Sequence, residues 1–210
     1  LNFYESEVIR KFAKKQNISN STFINGCAVT NKTIADLKSE IRKIKREKPD
    51  RKIILTGCAA QIHQEDFSKM SEIDAIIGKK EKLEEKTYER IRTANDKVNE
   101  VGDILQESQA IAPIIDKVEQ RIRGFVQIQN GCDHRCTFCI IPYGRGNSRS
   151  VKPNNVVKQI KNLLEKNYKE VVLTGVDLTS YGHDFEDKKT ITDLVKIIFS
   201  KVPNLKRLRL

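Results

Sequence analysis

The sequence predicts an α/β protein. An N-terminal parallel α/β sheet domain is followed by the opening half of a β/α barrel. Three observations predict it. Short β-rich runs alternate with amphipathic helical stretches, the pattern of parallel sheets. Glycine-containing loops follow the strands, where such sheets carry their ligands. The last third of the chain reads strand, loop, helix, strand, loop, helix, strand, as a β/α barrel begins.

Each element has a local reason. Val8, Ile9 and Phe12 share helical spacing, which predicts a helix from the first residues to about Gln16. Thr22 to Asn25 forms a short strand, and Gly26-Cys27-Ala28-Val29-Thr30-Asn31 its loop, with Thr30 or Asn31 suited to cap the next helix. Ile34, Leu37, Ile41 and Ile44 make an apolar stripe that ends before Pro49. Lys52 to Leu55 is the next strand, with Thr56-Gly57-Cys58-Ala59-Ala60-Gln61 as its loop. A short helix over Glu65–Met70, a strand over Ala75–Ile77 and a helix from about Lys80 to Ile91 complete a domain spanning 1–91. Residues 92–120 have poor periodicity and read as an interdomain linker that includes Gly102 and Pro113. The second domain spans 121–210. Arg121 to Gln129 is its first strand, a helix runs from Pro153 to about Asn167, and Lys169 to Thr174 is the second strand. Ile191–Lys201 is helical, and Leu205–Leu210 begins a third strand. A barrel of three strands leaves an open edge, so the protein is expected to continue beyond Leu210.

Composition narrows the class. With 38% hydrophobic and 32% charged residues there is material for a core beneath a polar surface. No run reaches the roughly 18 apolar residues of a membrane helix, and no signal-peptide pattern opens the sequence. Five cysteines, an odd number, argue against a closed disulfide framework and for reduced thiols in a cytoplasmic setting. The net charge is +11, divided as +6 over residues 1–80, −4 over 81–120 and +9 over 121–210. Such a balance suits a nucleic-acid partner or a plain solvated surface.

The chemistry concentrates in Gly131-Cys132-Asp133-His134-Arg135-Cys136-Thr137-Phe138-Cys139, a C-x3-C-x2-C loop after the apolar run Phe125, Val126, Ile128. Thiolates are soft ligands that select iron–sulfur clusters, zinc or Cu(I). A cubane cluster usually takes four thiolates, so three would leave one iron open. A zinc site completed by His134 competes, although His134 lies too close to Cys132 for ordinary zinc spacing. Cys27 and Cys58 each sit just past a predicted strand end. In a parallel sheet those ends share an edge, so the two thiols converge, unless both are merely small core residues. Arg145 and Arg149, in Tyr143-Gly144-Arg145-Gly146-Asn147-Ser148-Arg149-Ser150, suit an anionic group or an ordinary basic turn.

The three-cysteine spacing is similar to that of radical S-adenosylmethionine (SAM) enzymes, and the stretches together resemble the methylthiotransferases of that superfamily. Leu1-Asn2-Phe3-Tyr4-Glu5-Ser6-Glu7 resembles the segment after that family's first auxiliary cysteine, which would lie two residues before Leu1 and is absent here. The loops at Cys27 and Cys58 resemble those of the second and third auxiliary cysteines, with Gly26 in place of a more usual threonine. Residues 130–150 resemble the radical SAM loop with its arginine segment, and Gly175-Val176-Asp177-Leu178-Thr179-Ser180-Tyr181-Gly182 a SAM-facing loop. The resemblance implies a radical SAM partial barrel and two [4Fe-4S] clusters. One is held by Cys132, Cys136 and Cys139; the other involves Cys27 and Cys58. It further implies SAM contacts from Phe138, Gly175 and Asp177, and pairing of Arg145 and Arg149 with the SAM carboxylate or tRNA phosphate. The implied partners are tRNA and an electron donor such as flavodoxin or ferredoxin, without a membrane. Among the family's branches, the loops at Cys27, Arg145–Ser150 and Gly175–Gly182 resemble the one acting on threonylcarbamoyladenosine in tRNA. The others act on isopentenyladenosine in tRNA or on a ribosomal-protein aspartate. A non-catalytic zinc module binding RNA, or another type of radical SAM enzyme, are the alternatives.

Overall fold

A computed structural model describes residues 2–108, 110 and 123–210. Leu1, Pro113 and Arg121 of the sequence reading lie outside them. The chain divides into two compact units, one made of residues 8–106 with 134–146, the other of residues 1–7, 107–133 and 147–210.

In the first of these units, helix α1 (Asn2–Lys15), whose residues from Val8 onward belong to it, is followed by strand β1 (Ser21–Gly26). Helix α2 (Asn31–Glu47) is capped by Thr30, whose hydroxyl accepts from the Thr33 amide at 3.1 Å. Strand β2 (Lys52–Gly57) leads directly into short helices α3 (Cys58–Ile62) and α4 (Gln64–Ser68), then β3 (Ala75–Ile77). The helix expected over 80–91 is broken. A 3₁₀ turn at Glu81–Leu83 and helix α5 (Glu85–Thr93) flank an extended Glu84. The Lys82 carbonyl is taken by the Tyr88 hydroxyl at 2.7 Å, which satisfies it without a helical partner. Strand β4 (Val98–Glu100) lies in the stretch read as linker; it pairs parallel with β3. With only three residues, it leaves no periodicity to detect.

The sheet order is β1-β2-β3-β4, all parallel. Ile53 and Leu55 join Ile34, Ile41, Phe67 and Ile76 in one core layer. Ile54 joins Ala75, Ile77 and Ile91 in another. Such double-sided burial makes β2 a continuous apolar run.

In the other unit, β5 (Arg123–Gln127) is followed by β6 (Gln129–Asn130). Helix α6 (Ile141–Arg145), which belongs to the first unit, and β7 (Arg149–Ser150) occupy the stretch read as a glycine–arginine turn. Helix α7 (Pro153–Glu165), β8 (Glu170–Thr174), α8 (Ile191–Lys201) and β9 (Arg207–Arg209) complete the order. Strands β5-β8-β9 form a parallel sheet, and β6 pairs antiparallel with β7. The register aligns Arg123, Glu170 and Arg207 in one row. The buried Glu170 carboxylate takes ion pairs from Arg123 and Arg207, each at 3.0 Å, and from Arg209. Val126, Val171, Leu173, Ile160, Leu163 and Ile198 are all buried in this unit.

Candidate functional site

The carboxyl ends of β1 and β2 place the first pair of thiols. Gly26 and Gly57 are register partners on adjacent parallel strands. Cys27 and Cys58 follow them immediately, so both chains leave the sheet at the same edge. Both cysteines are half-buried free thiols. Gly57 has φ +94°, and a Cβ there would stand 2.4 Å from the Gly26 carbonyl oxygen and 2.7 Å from Asn25 Oδ1. Only glycine permits this turn from strand into α3.

Two residues that sequence reasoning passed over support this edge. Lys82 is fully buried, and its ammonium donates to Asn25 Oδ1 at 3.2 Å. Gln61 of the Cys58 loop accepts from the Lys79 amide at 3.0 Å and donates to the Gly102 carbonyl at 2.7 Å. It thereby ties α3 to the loops after β3 and β4. A buried lysine inside a polar run carries no sequence signal beyond its charge.

The three-cysteine loop has no regular structure except a turn in which the Cys139 amide donates to the Cys136 carbonyl at 3.0 Å. That turn brings the backbones of Cys136 and Cys139 together. Cys136 is exposed, Cys132 and Cys139 are half-buried, and all are free thiols. Phe138 between them is 91% exposed, an arrangement that leaves an aromatic face open to a ligand. Among the described residues no three His, Cys, Asp or Glu side chains stand close enough to hold a metal ion, so the structure does not bring the Cys132, Cys136 and Cys139 thiols together as a ligand set. What fits a thiolate cluster is their chemistry alone: soft thiols, none of them in a disulfide.

Gln129 organises the base of this loop. It is fully buried. Its amide nitrogen donates to Ser148 Oγ at 2.9 Å and to the Gly131 carbonyl at 2.8 Å. Its carbonyl oxygen accepts from the Val176 and Asp177 amides at 2.8 and 2.9 Å. One side chain thus joins the start of the cysteine loop, the arginine segment and the loop after β8. Gly175 is explained by the same contact: a Cβ there would meet Gln129 Oε1 at 2.9 Å and Leu178 Cδ2 at 2.7 Å. Asp177 spends carboxylate capacity on a cap, accepting from the Thr179 amide at 3.2 Å and from the Thr179 and Ser180 hydroxyls. Asp133 Oδ1 accepts from the Ser148 amide, and Asp184 Oδ2 from the Ser150 amide, each at 2.8 Å. Arg149 is buried. Burial pushes its guanidinium pKa down, while the charges of Glu107 and Asp184 hold it up. Arg145 is also buried.

Residues 126–208 match the family described as the Radical SAM superfamily. That segment is a radical SAM domain. Residues 1–78 match a second family, described as Uncharacterized protein family UPF0004. A Rickettsia prowazekii relative, the threonylcarbamoyladenosine tRNA methylthiotransferase MtaB, is 43% identical over all of this chain and 49% of its own length. The tRNA-2-methylthio-N(6)-dimethylallyladenosine synthase of Clostridium novyi is 32% identical over 81% of this chain and 38% of its own length. The chain therefore spans about half or less of these relatives. In fold it is similar to the radical SAM methyltransferase TsrM of Kitasatospora setae, solved with tryptophan and a SAM analogue. The TM-score is 0.55 at 14% identity, over 90% of this chain and 42% of that one. The α/β class and parallel sheets expected of a radical SAM chain are thus present.

Proposed function

We propose that this chain is part of a tRNA methylthiotransferase that adds a methylthio group to N6-threonylcarbamoyladenosine beside the anticodon. The observation that carries the reading is the pairing of Gly26 with Gly57, which delivers Cys27 and Cys58 to one sheet edge in a chain that also holds the C-x3-C-x2-C loop. A superfamily member needs only the second set of cysteines. A sulfur-inserting one has a use for the first, as holders of a second cluster from which sulfur is drawn. The substrate is supported by the name of the 43% identical relative.

In this reading Cys132, Cys136 and Cys139 would hold a [4Fe-4S] cluster, which when bound would supply one-electron chemistry toward SAM. The remaining residues position and shield. Phe138 offers its exposed face to the SAM adenine. Gln129 fixes the Val176 and Asp177 amides, and with them the loop expected to face SAM. Arg145 and Arg149 supply permanent positive charge for a carboxylate or phosphate. No helix among the described residues is long and apolar enough to cross a membrane. The tRNA substrate, a low-potential electron donor such as flavodoxin or ferredoxin, and a cytoplasmic setting belong to the same proposal.

Nucleoside mass spectrometry of tRNA from cells relying on the full-length gene tests it. Cys136→Ala should abolish the methylthio form of threonylcarbamoyladenosine while its precursor accumulates. An unchanged level refutes the reading. Loss of the methylthio form of isopentenyladenosine instead reassigns the substrate, and zinc without iron in anaerobically purified protein points to a structural metal module.

A further inference from the structure

Helix α6 follows the three-cysteine loop directly, and in its unit it packs on α3, whose first residue is Cys58. The contact is made at Gly144. A Cβ placed there would stand 3.0 Å from Cys58 Cβ, 3.1 Å from Cys58 Sγ and 3.0 Å from Ile62 Cδ1. The φ of Gly144 lies outside the left-handed region, so its backbone does not demand glycine. Glycine is also a poor residue inside a helix. What requires it is the Cys58 side chain. We infer that Gly144 is a positioning residue for Cys58: the missing side chain lets the segment carrying Cys136 and Cys139 seat directly on the auxiliary cysteine and hold its sulfur in place.

The consequence is mechanical. Three contacts tighter than ordinary van der Waals distance would arise together from a single methyl group. Cys58 Sγ can rotate and the partly buried Ile62 methyl can give by a few tenths of an ångström, but Cys58 Cβ is held by the backbone of α3. Relief therefore moves the Cys58 side chain or shifts α6 from α3 by a few tenths of an ångström, and either disturbs Cys58. The inference rests on the proposed cluster role only for its functional meaning; the contact itself is independent of any metal.

The test uses the full-length protein, first metal-free and reduced. Brief alkylation with N-ethylmaleimide, read by peptide mass spectrometry, gives the labelling rate of Cys58 relative to Cys27. Gly144→Ala should raise that ratio at least threefold. Gly124→Ala, whose Cβ would collide with Leu163 at 2.6 Å in the other unit, should leave it unchanged. An unchanged ratio, a slower Cys58, or an equal rise at both cysteines overturns the inference. A double-mutant comparison guards against poor folding. Removing Sγ with Cys58→Ala should reduce the fall in Tm caused by Gly144→Ala by about half, and full additivity counts against the contact. Iron is then counted after anaerobic reconstitution in protein whose Cys132, Cys136 and Cys139 are all alanine. Gly144→Ala should retain less than half the iron of its parent. A parent that binds no iron overturns the cluster reading instead, whatever the thiol ratio shows.

Discussion

Replacing Gln129 with alanine removes a side chain that no one-dimensional pattern singles out, yet the structure gives it a large effect. Five hydrogen bonds vanish together, three donated by the side chain, the one to the Asn130 carbonyl being the longest at 3.3 Å, and two accepted by it. The Val176 and Asp177 amides share one acceptor and are only partly buried, so water replaces it in part. Stranding them costs about 1 kcal/mol each. The Gly131 carbonyl and Ser148 hydroxyl sit in more buried surroundings and lose a donor, adding about 1 kcal/mol between them. The vacated volume adds about 1 kcal/mol more. The sum is roughly 4 kcal/mol, a large share of a typical stability of about 5–15 kcal/mol. Urea denaturation followed by circular dichroism should show the midpoint falling by about 1.3–2.7 M, given a slope of about 1.5–3 kcal/mol per molar. Gln129→Glu keeps the acceptor for both amides but loses the donor and sets a carboxylate against the Gly131 carbonyl, so it should fall between the two. A Gln129→Ala protein within about 1 kcal/mol of the parent would refute the claim that this residue ties the three loops.

Gly57→Ala should destabilise the first unit by about 3 kcal/mol or more, because a left-handed φ and a carbonyl 2.4 Å from the new Cβ act together; thermal melting checks it. The Glu170 carboxyl is held below its ordinary range chiefly by the Arg207 hydrogen bond, then by Arg209, against an opposing effect of burial. A depressed folded pKa contributes stability above the unfolded value near 4.3 and loses it as pH falls through the lower folded value. Glu170→Gln should therefore flatten the loss of stability below about pH 4.3, as acid melts of the two proteins would show. Lys82→Met should leave a folded protein that retains less than half of its auxiliary iron after reconstitution of the Cys132/Cys136/Cys139→Ala protein, because the charge buried behind Asn25 is gone. Full iron retention would assign Lys82 a packing role alone.

Long amphipathic elements announced themselves. The stripe Ile34, Leu37, Ile41, Ile44 became α2, and Ile191–Lys201 became α8 with a complete capping box at Thr190 and Asp193. Elements of two to five residues did not. Strand β7 and helix α6 are too short to show a period, and Gly144 and Gly146 disguise them as a turn. The 80–91 helix was misread for another reason: its charges and apolar spacing satisfy a helix, but the Tyr88 hydroxyl claims the Lys82 carbonyl and the chain bends. That bond joins residues six apart through a side chain, a tertiary choice that local propensity cannot express.

The site divides along the same line. Thiol chemistry is a property of residue type, so the cysteines were legible one by one. What brings Cys27 to Cys58 is the register of β1 on β2, an offset of 31 residues that equals the spacing of the two cysteines. Register is set by packing on both faces of the sheet: Ile53 and Leu55 on one side, Ile54 on the other. A slip of one residue would exchange those faces, burying Lys52 or Thr56 where an isoleucine belongs, and would also part the two thiols. The core that makes β2 stable therefore also sets the geometry of the thiols beyond its end. Mutations that loosen this core, far from any sulfur, should erode iron binding before they unfold the chain, and Ile54→Ala is the direct case. Buried on the second face, Ile54 is a register partner of both Phe23 and Ala75. Its truncation should lower stability by about 2–5 kcal/mol. If auxiliary iron in the reconstituted protein falls only in step with the unfolded fraction, the register argument fails.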